Sequence, residues 1–216
     1  MGCSTLDLRQ ARDMFVFVAR GMVDFKDALT QADKAIGDGD HGIGMARGFE
    51  AVEIALTGRE FASIGELFNT IGAALLMNIG GAAGAVFGTL FRGGSRQLGE
   101  QGNLSTAALA TLLQDGLEAV MARGGARPGD KTMIDALYPA AQKAGELLDE
   151  SLDRSLGEIA AAAHQGMEET REMVAAHGKA KTLGTRALGF ADPGAISLSQ
   201  IFTLMNDFVM KACAGG

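Results

Sequence analysis

The sequence has few cysteines, and its basic residues are in the minority. The two cysteines, Cys3 and Cys213, lie near opposite ends of the 216 residues, which excludes a disulfide-rich scaffold and favours a cytoplasmic location. Lysine and arginine (19) are outnumbered by aspartate and glutamate (26), for a net charge of −7. Binding to nucleic acid or to an anionic membrane is therefore not expected, because both recruit clusters of basic residues. The first residues also lack the basic and apolar run of a secretory signal.

Tryptophan is absent and tyrosine occurs once, which bears on the long uncharged stretch from Leu67 to Phe91. Its length would be enough to cross a hydrocarbon layer of roughly 30 Å. However, five glycines and several polar side chains interrupt it, and no tryptophan or tyrosine marks a membrane interface at either end. We therefore predict that this stretch does not span a membrane.

Sustained alternation of β-branched residues is missing too, and helical spacing dominates instead. The hydrophobic fraction of 47% is enough for a sizeable core. The segments that fit helices are Leu8 to Met22, Ile64 to Leu75, Leu109 to Val120, Thr132 to Leu152, Leu156 to His177 and Ser197 to Ala214. Ser4 or Thr5 is expected to cap the first of them. We predict one all-α domain over residues 1–216, a bundle with functional loops at one end.

Glycine-rich joints separate the predicted helices, and the most informative joint runs from Asp33 to Gly42. It holds three carboxylates, Asp33, Asp38 and Asp40, with glycines between them. Such crowding is costly without a cation, and hard oxygen ligands suit Mg²⁺, which often shares its shell with nucleotide phosphates. A solvated turn, in which the last two aspartates cap the next helix, is an open alternative. An EF-hand is excluded because Phe49 stands where its final acid is required.

Three other features are less specific. His41 directly follows the aspartates, and we interpret it as an orienting residue and not as a base. The Gly80 to Gly84 joint precedes a helix, so it would let phosphates approach backbone N–H groups, although close helix packing is the better explanation of its small residues when the segment is taken alone. Asp192-Pro193-Gly194 suits the start of the last helix, with Asp as N-cap and Pro in the next position.

Four landmarks in the sequence together carry a family resemblance. They are Ile36-Gly37-Asp38-Gly39-Asp40-His41-Gly42, Gly80-Gly81-Ala82-Ala83-Gly84 with Phe87-Gly88-Thr89, Pro128-Gly129-Asp130-Lys131-Thr132-Met133-Ile134-Asp135-Ala136-Leu137, and Leu183-Gly184-Thr185-Arg186 with Asp192-Pro193-Gly194. In this order, and over nearly the whole chain, they resemble the L subunit of dihydroxyacetone kinases, which is the nucleotide-binding part of those enzymes.

The resemblance implies a barrel of about eight antiparallel helices that holds ADP or ATP at one end. Two Mg²⁺ ions would be coordinated by Asp33, Asp38 and Asp40, which act as ligands and not as bases, and no catalytic side chain is assigned. The residues that would line the nucleotide site are His41, Gly42, Ile43, Gly44, Ala82, Ala83, Gly124, Met133, Lys179, Asp192, Pro193 and Gly194.

The resemblance also implies a division of labour between proteins. A separate K subunit would hold the short ketose, and the phosphoryl group would come either from exchangeable ATP or from bound ADP that a phosphotransferase protein rephosphorylates. One alternative, from a different class of function, is an ADP-loaded regulatory protein that docks onto a partner without catalysis. The second is a lipid-binding domain, suggested only by the apolar interior of such a barrel.

Three positions depart from the commoner pattern of the resembled family. Gly44 stands where Asn is usual, Ala83 where Ser is usual, and Lys179 where Arg is usual. Lysine does not reproduce the planar, two-pronged donor geometry of arginine. The grip on the nucleotide is therefore expected to differ from that of better-matched members.

Overall fold

The structure is a computed structural model that describes the backbone of residues 4–214 and the side chains of residues 4–212. Cys3 and the side chain of Cys213 lie outside the described residues. The described part is all-α, as predicted, with nine α helices: α1 Leu8–Asp24, α2 Lys26–Ile36, α3 His41–Leu56, α4 Ile64–Asn78, α5 Gly81–Gly94, α6 Thr106–Gly124, α7 Ile134–Glu146, α8 Leu152–Glu169 and α9 Pro193–Ala214. Three 3₁₀ segments cover Ser95–Gln97, Thr170–Glu172 and Lys179–Ala187.

Eight of the helices form a closed ring. Helix α1 packs against α3, each helix from α3 to α9 packs against the next, and α9 packs back onto α1. Helix α2 stands outside this ring and contacts α3, α9 and the Lys179–Ala187 segment. This is the eight-helix barrel that the resemblance implied, and it has one additional helix.

The connectivity brings alternate helix ends together. Helices α3, α5, α7 and α9 begin at one end of the barrel, where α4 and α6 finish, and we call this the upper end. At the lower end lie two short strands, β1 (Leu6–Asp7) and β2 (Asn103–Leu104), which pair antiparallel. Strand β1 directly precedes α1 in the chain, and β2 precedes α6. The upper end is therefore the place where four helix N-termini meet.

The interior of the barrel is filled by side chains. Phe15 of α1, Phe68 of α4 and Phe91 of α5 are buried against one another, with ring centroids 5.2 to 6.1 Å apart. Two of these contacts are edge-to-face, a favoured geometry for aromatic rings. The apolar stripes that predicted α1, α4 and α6 all lie in this core.

Some predicted boundaries were wrong. The segment Thr132 to Leu152 is a shorter helix, α7, because the chain turns after Glu146 and Leu152 already begins α8. The segment Leu156 to His177 is helical only as far as Glu169 and then narrows to a 3₁₀ turn. The last helix begins at Pro193, four residues before the predicted Ser197, because the Asp192 side chain caps it.

The N-cap of the first helix also differs from the prediction. It is Asp7, and not Ser4 or Thr5. The Asp7 carboxylate accepts a hydrogen bond from the Gln10 backbone N–H at 2.8 Å, and the Gln10 side chain accepts one from the Asp7 N–H at 3.0 Å. This reciprocal pair is a capping box, which satisfies two donors at once.

The uncharged stretch from Leu67 to Phe91 is divided between two antiparallel helices. Helix α4 finishes at Asn78, and α5 starts at Gly81 after a sharp turn. Among the helices of residues 4–214, we find none that is long and apolar enough to cross a membrane.

Glycine allows α5 to approach its neighbours closely. A Cβ on Gly88 would lie 2.6 Å from the Leu76 Cβ of α4, and a Cβ on Gly94 would lie 2.1 Å from the Leu112 carbonyl oxygen of α6. Real Cβ atoms do not come this close to other atoms, so helices α4 and α6 would have to move apart to accept larger residues.

We expect Gly94→Ala to lower the free energy of unfolding by about 1–3 kcal/mol, because the backbone of α6 has no room for a methyl group. Urea unfolding followed by circular dichroism would measure this. Gly102→Ala is the matched control: nothing lies within 4 Å of a Cβ there, and we expect a change within about 0.5 kcal/mol. Equal stability of both variants would contradict the close contact between α5 and α6.

Candidate functional site

The upper end of the barrel contains a cavity of about 730 Å³. All the predicted site residues line it except Gly42. A Cβ on Gly42 would lie 2.3 Å from both the Lys26 carbonyl oxygen and the Thr30 hydroxyl, so this glycine serves the contact between α3 and α2. The structure thus brings together residues that are up to 161 positions apart in sequence, from Asp33 to Gly194.

The three aspartates converge at the mouth of the cavity. Asp33, in the last turn of α2, is buried, whereas Asp38 and Asp40 are exposed in the loop that follows. One carboxylate oxygen of each lies within 4.8 Å of the others. Glycine is required in this loop, because a Cβ on Gly37 would meet the Asp33 carboxylate at 2.1 Å and Gly39 has a φ of +80°.

A lysine supplies positive charge to this cluster. The Lys179 ammonium group donates a hydrogen bond to the Asp38 carboxylate and lies 3.5 Å from an oxygen of Asp40. The hydrogen bond to Asp38 raises the pKa of Lys179, and the same bond lowers the pKa of Asp38. Lys179 belongs to an exposed 3₁₀ segment that starts after Gly178, so the ammonium group is held mainly by the acids.

The Asp38 and Asp40 side chains do not cap α3. Asp40 occupies the N-cap position of α3, but its side chain makes no cap hydrogen bond. Asp33 accepts a hydrogen bond from the His41 backbone N–H at 3.1 Å, and the His41 ring Nε2 lies 2.7 Å from the Ser197 hydroxyl of α9. Burial lowers the pKa of His41. The contact with Ser197 fixes the ring between α3 and α9, and the interpretation of His41 as an orienting residue stays a prediction.

Helix N-termini surround the cavity. The first residues of α3, α5, α7 and α9 all line it. The N-cap of α5 is Gly80, with a φ of +83°, and no side chain caps this helix. A Cβ on Gly81 would have nothing within 4 Å, so here glycine serves backbone shape and access and not helix packing. Uncapped N–H groups and the helix dipole favour an anion at such a place.

Asp192 and Lys131 form the wall on the α7 and α9 side. The Asp192 carboxylate accepts a hydrogen bond from the Ala195 N–H at 2.8 Å, as predicted for an N-cap, and burial raises the pKa of Asp192 to about 7. The buried Lys131 ammonium group donates to the carbonyl oxygens of Thr170 and Phe190, at 2.5 and 2.6 Å. Lys131 thereby holds the long connection between α8 and α9 against the cavity.

Sequence reasoning gave no role to several lining residues. Lys131 and Phe87 belong only to the landmarks of the resemblance, His177 only marks the end of a predicted helix, and Arg47 was not singled out. The Arg47 guanidinium group donates to the carbonyl oxygens of Asn78 and Ile79 at 2.5 and 2.6 Å, and so holds the turn between α4 and α5. Arg47 lies close to one turn after Gly44, and this spacing was the only sequence signal that could have revealed it.

The structure gives a steric reason for one departure from the family pattern, the glycine at position 44. A Cβ on Gly44 would lie 2.9 Å from the Ile79 carbonyl oxygen, so the end of α4 stands where a larger side chain would project. Ala83 and Lys179 both line the cavity; Ala83 is half-buried against the core, and Lys179 is exposed.

The donor set fits magnesium. Two ligands on opposite sides of a Mg²⁺ ion are about 4.2 Å apart, since each bond is about 2.1 Å. The spread of 4.8 Å among the three carboxylates is therefore compatible with shared coordination after a small adjustment. The site combines hard, charged oxygen ligands with anion-binding helix ends, a combination that suits a metal-bound phosphate group.

Comparison with known proteins shows the family of the chain. The family model for the DAK2 domain matches residues 35–207. The chain is 36% identical over 180 residues to the ADP-binding subunit DhaL of PEP-dependent dihydroxyacetone kinase 1 of Listeria innocua, which covers 83% of this chain and 86% of that one. It is also 36% identical over 179 residues to the corresponding DhaL subunit of Escherichia coli K12, covering 82% and 85% of the two chains.

Solved structures extend the similarity to the fold. The native dihydroxyacetone kinase of C. freundii superposes with a TM-score of 0.74 at 25% identity, over 96% of this chain and 35% of that chain. The structure of that kinase in complex with AMP-PNP and Mg²⁺ gives a TM-score of 0.70 at 30% identity, over 91% and 33%. The chain therefore belongs to the DAK2 domain family, the family of the DhaL subunits of dihydroxyacetone kinases.

Proposed function

We propose that this chain is the nucleotide-binding subunit of a dihydroxyacetone-type kinase. It would hold ADP or ATP with Mg²⁺ in the upper cavity and present the phosphoryl group to a short ketose on a separate K subunit. The observation that carries the proposal is the meeting of three carboxylates with four helix N-termini in one cavity. The relatives named as ADP-binding subunits and the neighbour that binds AMP-PNP and Mg²⁺ support it.

Each part of the cavity would have its own role. Asp33, Asp38 and Asp40 would hold two Mg²⁺ ions, which neutralise phosphate charge when bound. Backbone N–H groups around Gly81 and Gly194 would orient the phosphates. The apolar part of the lining, which includes Ile43, Ala82, Ala83, Gly124 and Met133, would contact the adenine.

The same proposal assigns the remaining tasks to partners. The aspartates would act as ligands and not as bases, so the ketose and any group that activates it would belong to the K subunit. Residues 1–216 would form a single domain that works in the cytoplasm. The phosphoryl donor would be ATP or a phosphotransferase protein acting on bound ADP. Reconstitution of the activity with a K subunit and each donor in turn would separate the two.

The first prediction concerns the metal ligands. In Mg²⁺ buffer we expect Asp33→Ala, Asp38→Ala and Asp40→Ala each to weaken ADP binding about tenfold or more, because each removes a charged ligand. Isothermal titration calorimetry would measure the affinity. Asp24→Ala is the control, since Asp24 is an exposed acid at the end of α1 outside the cavity lining. Undiminished ADP affinity in all three variants would refute the proposed site.

The second prediction concerns Lys179, whose ammonium group competes with a cation for Asp38 and Asp40. Without nucleotide, Lys179→Met is expected to raise Mn²⁺ affinity, measured by electron paramagnetic resonance. In Mg²⁺ buffer the same variant should bind ADP more weakly, because it lacks a positive charge for the phosphates. Lys181→Met, an exposed change in the same 3₁₀ segment, should alter neither value. Identical metal affinity in wild type and Lys179→Met would disprove the competition.

The third prediction concerns the division of labour. The isolated chain should bind Mg-nucleotide and phosphorylate no dihydroxyacetone, whereas addition of a cognate K subunit and a donor should produce the phosphate ester, followed by ³¹P NMR. Turnover with ATP alone would identify ATP as the donor, and a requirement for a phosphotransferase protein would identify bound ADP as the carrier. Sugar phosphorylation by the isolated chain would contradict the proposal. No product with either donor would favour the regulatory alternative.

A further inference from the structure

A second concave region lies on the outer face of the barrel, away from the nucleotide cavity. Three arginines from three elements line it: Arg92 of α5, Arg96 of the Ser95–Gln97 turn and Arg123 of α6. Its volume is about 540 Å³, and it shares no lining residue with the upper cavity. We call this region the arginine trough.

The trough exists because α5 presents glycines on this face, whereas its neighbours α4 and α6 carry larger side chains. Gly88 and Gly93 of α5 line it, and they lie against Leu76 of α4 and Ala119 of α6. Residues without side chains on α5 leave the side chains of α4 and α6 as walls on either side. The glycines that allow close helix packing therefore also create a recess on the outer surface.

The arginines are held at this recess without a countercharge. The Arg92 stem lies against Gly72 of α4, and its guanidinium group is 3.4 Å from the Asn69 amide oxygen, a weak hydrogen bond. Within residues 4–212, the side chains of Arg96 and Arg123 have no hydrogen-bond or ion-pair partner. All three side chains are exposed at the surface.

The one carboxylate that lines the trough is already occupied. One oxygen of Glu66 pairs with Arg59 at 2.9 Å, and the other accepts the Ala62 N–H at 2.9 Å. Several other arginines of the described chain have carboxylate partners, as Arg20 does with Glu53 and Arg171 with Glu168. Three unpaired guanidinium groups around one recess are thus a local excess of positive charge on a protein of net charge −7.

We propose that the arginine trough binds a small multivalent oxyanion of the phosphate-ester or diphosphate class. Guanidinium groups pair with phosphate oxygens through two parallel hydrogen bonds, and the Thr89 hydroxyl and the Asn69 amide in the lining supply further donors. A volume of about 540 Å³ is in the range of small-molecule sites. This site is independent of the upper cavity and of the proposed kinase function.

The test uses inorganic pyrophosphate as the probe, in metal-free buffer with EDTA at constant ionic strength. Backbone ¹H–¹⁵N NMR spectra distinguish the two regions, because Gly88 and Gly93 report on the trough, whereas Gly80 and Gly194 report on the upper cavity. We expect saturable shifts at the trough glycines. Arg96→Gln and Arg123→Gln should each weaken this binding about tenfold, the usual loss when a hydrogen bond to a charged group is removed.

Arg9→Gln is the control, because it likewise removes one exposed guanidinium group, and this one lies outside the trough. It should leave the pyrophosphate affinity unchanged. Thermal melting of each variant checks that the fold is intact, and these exposed replacements should alter it little. Shifts that grow linearly without saturation, shifts confined to Gly80 and Gly194, or equal losses in Arg9→Gln and Arg123→Gln would each overturn the proposal.

Discussion

The mutual repulsion of three carboxylates within 4.8 Å of one another is the constraint on which the site depends. An isolated cluster of this kind would drive its members apart, so the chain has to hold them by other means. Asp33 is fixed in a helix and accepts the His41 N–H, while Gly37 and Gly39 let the loop turn back towards it. A counter-cation is then required, and the chain provides one in Lys179.

The same end of the barrel concentrates positive potential. Because neighbouring helices alternate in direction, four N-termini meet beside the aspartates, and the partial charges of their N–H groups add to that of Lys179. The cavity thus offers ligands for a cation and donors for an anion side by side. A metal-bound nucleotide phosphate combines both charges, so the ligand of the proposed function would be compatible with the acidic character of the chain.

The glycines that allow close helix packing also shape the outer surface of the barrel. Gly72, Gly88 and Gly94 let α4, α5 and α6 approach to backbone contact, and the same thin helix leaves the arginine trough on the outside. At its other end, α5 starts with the open glycines of the cavity. The glycines of one helix therefore have two distinct physical uses, access at its N-terminus and packing along its length.

Periodicity and local spacing are properties of neighbouring residues, so they were enough to predict the helical class, the helices that carry clear apolar stripes, and the aspartate cluster. They did not determine where α7 finishes, that Asp7 caps α1, or that Gly42 faces α2, since these depend on which segment lies opposite. Only the tertiary structure placed Lys179 on Asp38 and Asp40, 139 to 141 residues away along the chain. Arg47 and Lys131 likewise acquire their partners through the closed ring, which no local pattern encodes.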